Sequence, residues 1–140
     1  MLRIKSTYIL IALAVVVIIC ILTGIFLYSR DSTLSIQNNT DETITVLKIK
    51  YSNSLNIIEV PGISPNQVYK TKLILPENFT EGSIKILYTD KQGENHEDYL
   101  VGYIEKGYKV KINVIIDSVD NNEVLTIKIN RVPPSGTAMF

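Results

Sequence analysis

The side chains best equipped for acid–base or metal chemistry crowd into one stretch, Asp90-Lys91-Gln92-Gly93-Glu94-Asn95-His96-Glu97-Asp98. His96 is the sole histidine of the chain. A Ser-His-Asp system needs a buried carboxylate behind the imidazole and a nucleophile in front of it. The polar neighbours of His96 predict a solvated histidine beside a hairpin loop instead. Calcium asks for regularly spaced oxygen ligands around a sharp glycine turn. Here Lys91 and Gly93 stand where ligands would be expected, so the acidic run reads as a charged hairpin rather than a metal site. There is no Gly-rich phosphate loop and no zinc-type spacing. Neither an enzymatic activity nor a cofactor is expected.

Binding chemistry has a better candidate in Tyr99 to Ile104. By strand alternation Leu100, Gly102 and Ile104 share one face, and Tyr99, Val101 and Tyr103 share the other. Both faces are apolar, which is unusual for a sheet with one solvated side. Leu87 faces away from Ile86 and Tyr88 and would lie beside the outer stripe. Contiguous exposed apolar surface often marks a contact site, and tyrosine is enriched among interface hot spots. Tyr99, Val101, Tyr103 and Leu87 are therefore the candidate partner-binding residues. The competing explanation is a central strand covered on its second side by a loop or the tail.

These residues need strands to hold them, and the chain supplies strands almost throughout. The alternation predicts Leu34–Gln37, Thr43–Tyr51, Leu55–Val60, Val68–Leu75, Ser83–Thr89, Glu97–Ile104, Tyr108–Ile116 and Val124–Asn130. Leu47, Ile49 and Tyr51 turn inward, as do Ile84, Ile86 and Tyr88. Tyr108, Val110, Ile112, Val114 and Ile116 alternate with Lys109, Lys111 and Asn113. Gly93 and Gly107 sit where hairpin turns want a positive φ. Pro61 and Pro65 exclude a continuing ladder between them. The expected fold is all-β: one antiparallel, immunoglobulin-like sandwich of about seven or eight strands.

A different element precedes the sandwich. Tyr8–Tyr28 reads YILIALAVVVIICILTGIFLY, without a charge, and fourteen of its residues are Ile, Leu, Val or Phe. About 20 helical residues cross the hydrocarbon core of a bilayer, and the two flanking tyrosines favour headgroup depth. Arg3 and Lys5 precede the run, against Arg30 with Asp31 after it. The basic excess places the N-terminus in the cytoplasm. A cleaved signal peptide has a shorter apolar region ending at small residues, and Phe26-Leu27-Tyr28-Ser29 offers no such site. The layout is then a cytoplasmic segment 1–7, a transmembrane signal anchor 8–28, a linker 29–33, an extracytoplasmic sandwich 34–131 and a disordered tail 132–140.

Composition narrows the partners. The 14 basic and 14 acidic residues give a net charge of +0, without the basic stripe of a nucleic-acid binder. The only cysteine, Cys20, lies in the apolar run, so no intrachain disulfide forms. Asn38-Asn39-Thr40 and Asn78-Phe79-Thr80 match the glycosylation pattern. The Ile-, Lys- and Asn-rich composition points to a bacterium, where neither is modified. An anchor followed by a small cysteine-free sandwich resembles surface proteins of Gram-positive bacteria in layout and composition. The expected partners are the bilayer, through Tyr8–Tyr28, and a protein. The expected role is a tethered protein-interaction or envelope accessory module; the alternative is a carbohydrate- or cell-wall-binding module.

Overall fold

A computed structural model of the chain describes residues 2–28, 31–45, 47–55 and 57–132. Inside the helix, side chains are described at positions 8 and 11–24. Two compact units result, Met1–Arg30 and Asp31–Phe140.

The first unit is a single helix, α1 (Leu2–Tyr28). It begins at Leu2 rather than at Tyr8, and its 27 residues rise about 40 Å. Its described side chains are apolar on every side and exposed, unlike the one-sided stripe of a helix packed on a core. The Thr23 hydroxyl returns its proton to the Ile19 carbonyl at 2.8 Å, which satisfies the polar group within the helix. Among the described residues no helix is long and apolar enough to cross a membrane.

The second unit holds eight strands: β1 (Thr33–Asn38), β2 (Lys48–Tyr51), β3 (Ile57–Glu59), β4 (Val68–Lys72), β5 (Glu81–Thr89), β6 (Asn95–Glu105), β7 (Lys111–Val119) and β8 (Leu125–Val132). They form two four-stranded sheets, β4-β1-β7-β8 and β3-β2-β5-β6. Alternation explains the core. Leu34 and Ile36 of β1, Ile49 and Tyr51 of β2, Ile84, Ile86 and Tyr88 of β5, and Ile112, Val114 and Ile116 of β7 all enter one buried cluster. Both sheets thus bury one face against a shared core, a sandwich-like arrangement. The Tyr88 hydroxyl bridges the layers by accepting from the Leu125 amide at 3.2 Å.

Two expectations about topology need correction. The sandwich is not purely antiparallel, because β1 runs parallel to β7, with Thr33 opposite Lys111 and Asn38 opposite Ile116. Nor is the strand order that of an immunoglobulin domain, whose four-strand and three-strand sheets follow the ABED and CFG orders. Here β2–β3, β5–β6 and β7–β8 are hairpins within a sheet, and every other connection crosses between sheets.

Boundaries shift as well. The run from Thr43 to Tyr51 is no single strand: Ile44 makes an isolated bridge to Ile63 and the ladder starts at Lys48. Leu55 and Tyr108 lie in connections, outside the strands expected to hold them, and both are exposed. Val132, expected in the tail, pairs with Lys111. Residues 133–140, the rest of the expected tail, lie outside the described residues, as do 29 and 30 of the linker.

The two ends of the sandwich differ in their connections. At the entry end, where the chain arrives at Asp31, Leu73 donates its amide to the Ser32 carbonyl at 2.8 Å and Lys106 to the Thr80 carbonyl at 2.7 Å. The β2–β3 turn joins them through the Ser52 amide on the Ser83 carbonyl at 2.9 Å. At the far end the β5–β6 and β7–β8 turns meet, the Lys91 amide donating to the Asn122 carbonyl at 3.0 Å. Each of these turns is built on an aspartate. Asp90 Oδ1 accepts from the amides of Gln92 and Glu94; Asp120 Oδ1 accepts from those of Asn122 and Val124. Gly93 and Gly107 take the expected positive φ, 83° and 92°.

Candidate functional site

The proposed contact residues sit on and beside β6, an edge strand of its sheet. The pairing with β5 slips twice. Gly82 faces Ile104, Ile84 faces Val101, and Lys85 faces Tyr99. Each slip inserts an extra residue on β6, the signature of a β-bulge. Bulges break the alternation, and here they turn Leu100 and Val101 inward together. Val101 is 8% exposed and belongs to the core. Its expected place beside Tyr99 and Tyr103 is therefore wrong, and the cause is the bulge. Tyr99 and Tyr103 do point out, at 49% and 60% exposure. The apolar character of both faces, noted in the sequence, arises because the inward face changes partway along the strand.

Charges surround both rings. The Lys85 ammonium lies 4.6 Å from the Tyr99 ring centroid, a cation–π distance, and pairs with Glu97 at 2.6 Å. Glu97, then Tyr99, hold the Lys85 pKa above its ordinary value. Leu87 is half-buried on the outer face between Lys48 and Glu97. Leu87 and Tyr99 thus share one neighbourhood. Tyr103 stands apart, within the slip between Ile104 and Val101. Its hydroxyl is 2.7 Å from carboxylates of Glu81 and Glu105. Those two acceptors push its pKa well above the ordinary phenol range, Glu105 contributing most.

The bulged edge is held by a residue the sequence did not single out. Arg131, on β8 of the other sheet, donates from Nε to the Leu100 carbonyl at 2.7 Å and from a terminal nitrogen to the Tyr99 carbonyl at 2.6 Å. A planar guanidinium suits two adjacent acceptors. No sequence pattern marks Arg131, since its partners are main-chain atoms at an irregular point of the ladder.

His96 also departs from expectation. It lies in β6, half-buried, stacked on Tyr88 with centroids 4.7 Å apart and planes 11° apart. Its Nε2 is 3.0 Å from Oδ2 of Asp90, whose side chain is almost fully buried. Asp90 is held below the ordinary carboxylate pKa, first by His96 and next by the Glu94 amide. Ligand atoms of Asp90, Glu94 and His96 lie within 4.8 Å of one another. Both Asp90 oxygens are already engaged, one by the turn amides and one by the imidazole, so the cluster works as a brace for the turn.

Asn38, the acceptor of the first glycosylation pattern, is fully buried. Its Nδ2 donates to the carbonyls of Glu42 at 2.7 Å and Ile63 at 2.9 Å, and its Oδ1 accepts from the Thr40 amide and hydroxyl. It serves the crossover from β1 to β2 and offers no atom to a sugar transferase.

No family model matches the chain, and no curated protein does. Among solved structures, it is similar to the NMR structure of a protein from Eubacterium rectale, with 15% identity over 72% of this chain and 89% of that one, at a TM-score of 0.45.

Proposed function

We propose that the chain is a single-pass membrane protein whose exported sandwich acts as a protein-interaction or envelope accessory module. The supporting observation is the pair of outward tyrosines, Tyr99 and Tyr103, on a bulged edge strand. Exposed edges pair with other chains unless blunted, and bulges together with charges such as Lys85, Glu97, Glu81 and Glu105 leave only selective contacts. The membrane part rests on the sequence alone, on the uncharged run Tyr8–Tyr28. Its basic N-terminal flank supports a cytoplasmic N-terminus and an extracytoplasmic C-terminal domain. A carbohydrate module draws less support, because a stacking platform needs an open ring face and Lys85 covers one face of Tyr99.

A photo-crosslinking residue at position 99 or 103, in cells, should give one discrete adduct. The same residue at Lys70, on the outer face of the other sheet, should give none. The change Tyr99→Ser with Tyr103→Ser should abolish partner capture with Tm nearly unchanged. Unfolding of that double variant, or identical adducts from position 70, sinks the interaction face. Protease added to protoplasts should digest the sandwich; protection there overturns the orientation.

A further inference from the structure

The loops at the two ends of the sandwich expose different chemistry. At the far end Asp41, Glu42, Lys91, Glu94 and Asp120 are exposed. Among the described residues no loop at that end exposes a large apolar side chain. At the entry end three separate loops each expose one. Leu55 in the β2–β3 turn is 100% exposed, Ile74 in the β4–β5 connection 75%, and Tyr108 in the β6–β7 connection 51%. Ile74 and Tyr108 border an open cleft of about 360 Å³ whose rim also carries Asp31. The core is complete without these side chains, so the fold gives no reason for them to be apolar.

Chain connectivity gives a reason. Only residues 29 and 30 separate Tyr28, the end of α1, from Asp31, the start of the sandwich. Three peptide steps reach at most about 11 Å. A chain anchored through Tyr8–Tyr28 is therefore tethered to the bilayer by a short link at the end that carries these loops. We infer that Leu55, Ile74 and Tyr108 form a three-pronged tip that enters the headgroup–hydrocarbon boundary of the bilayer. The occupant of this surface is lipid. Tyrosine favours that depth, and apolar loop tips gain there the burial that water denies them. Lys72 at this end is paired with Asp31 at 2.7 Å, and Lys106 donates to the Glu77 carbonyl. Exposed Lys106 and Lys111 stand at this end beside exposed Glu77, Glu81 and Glu105, so neither sign of charge dominates it; the contact is assigned to apolar burial, and added salt should leave it in place.

The inference rests on the membrane anchor proposed above, and the test separates the two. The full chain carries single cysteines in a Cys20→Ser background, Leu55→Cys, Ile74→Cys, Tyr108→Cys or, as the far-end control, Gln92→Cys. Each is labelled with an environment-sensitive fluorophore in detergent and reconstituted into phosphatidylcholine vesicles containing doxyl-labelled lipid. The unmutated chain, labelled at Cys20, reports on the helix. Positions 55, 74 and 108 should show blue-shifted, lipid-quenched emission in low and high salt, while position 92 stays solvent-like. Quenching at Cys20 without quenching at the three tips overturns the tip and leaves the anchor standing. Equal quenching at position 92 overturns the tip too. No quenching at Cys20 overturns the anchor, and the tip with it.

Discussion

The guanidinium of Arg131 and the main chain of Leu100 lie on different sheets, yet Nε and the carbonyl oxygen are 2.7 Å apart. That bond, with its twin to Tyr99, ties the bulged stretch of β6 to the other sheet. Hydrogen bonds to a charged group contribute about 1.5–3 kcal/mol. Arg131→Ala should lower stability by about 1–3 kcal/mol in urea denaturation. Arg131→Lys should recover only part, since an ammonium cannot bridge both carbonyls in one plane. A neutral Arg131→Ala would mean that water satisfies this edge equally well.

Asn38 is a stricter case, because it is fully buried and its amide faces carbonyls. Asn38→Ala strands several buried groups, each costing about 1–3 kcal/mol. Asn38→Asp should be worse, since it sets a carboxylate against carbonyl oxygens where the amide had donated. Thermal melts of the two variants should rank wild type, Asn38→Ala, Asn38→Asp. The reverse order of the variants would show that the amide is not the essential donor.

Tyr51 runs the other way. It is fully buried, packs edge-on against Phe79 at 6.3 Å, and its hydroxyl has no hydrogen-bond partner among the described residues. Burial pushes its pKa up. Tyr51→Phe removes an uncompensated polar atom and keeps the ring. It should leave stability unchanged or raise it by about 1 kcal/mol, whereas Tyr51→Ala should cost about 3–5 kcal/mol. A clear loss in Tyr51→Phe would reveal that the hydroxyl is satisfied.

Asp90 makes stability depend on pH. Its folded pKa lies below its ordinary value, chiefly because of His96. A depressed carboxyl pKa stabilises the folded state above the unfolded value, about 3.9. That contribution fades as pH falls through the lower, folded value. Asp90→Asn lacks it at every pH. The Tm gap between wild type and Asp90→Asn should be widest at neutral pH and should close in strong acid. A gap that does not narrow would assign the effect to turn geometry rather than ionisation.

Alternation was legible wherever a strand was regular. Ile112, Val114 and Ile116 turn inward, as the alternation with Lys111 and Asn113 implies, and Gly93 bends where its hairpin needs it. It failed at Val101, because a bulge changes the inward face without a sequence mark. Tyr108 misled for another reason: it continues the apolar period past the point where pairing begins at Lys111. The parallel β1–β7 pairing was invisible, since alternation says which face a strand buries and nothing about which neighbour it takes. His96 was misjudged because its partners, Tyr88 and Asp90, meet it across a hairpin rather than along the chain.

That same parallel pairing governs the order in which the domain can be made. β1 precedes the other seven described strands in the chain, yet it lies inside its sheet, between β4 and β7. Thr33 waits for Lys111, 78 positions later. The β2–β3 and β5–β6 hairpins can close as they emerge, but one side of β1 stays open until β7 is available. Such long-range closure is slow and leaves a strand edge exposed meanwhile. Ribosomal arrest before Lys111 should therefore leave a nascent chain with formed hairpins and a protease-sensitive first strand, and release of the remaining residues should lock it in one step.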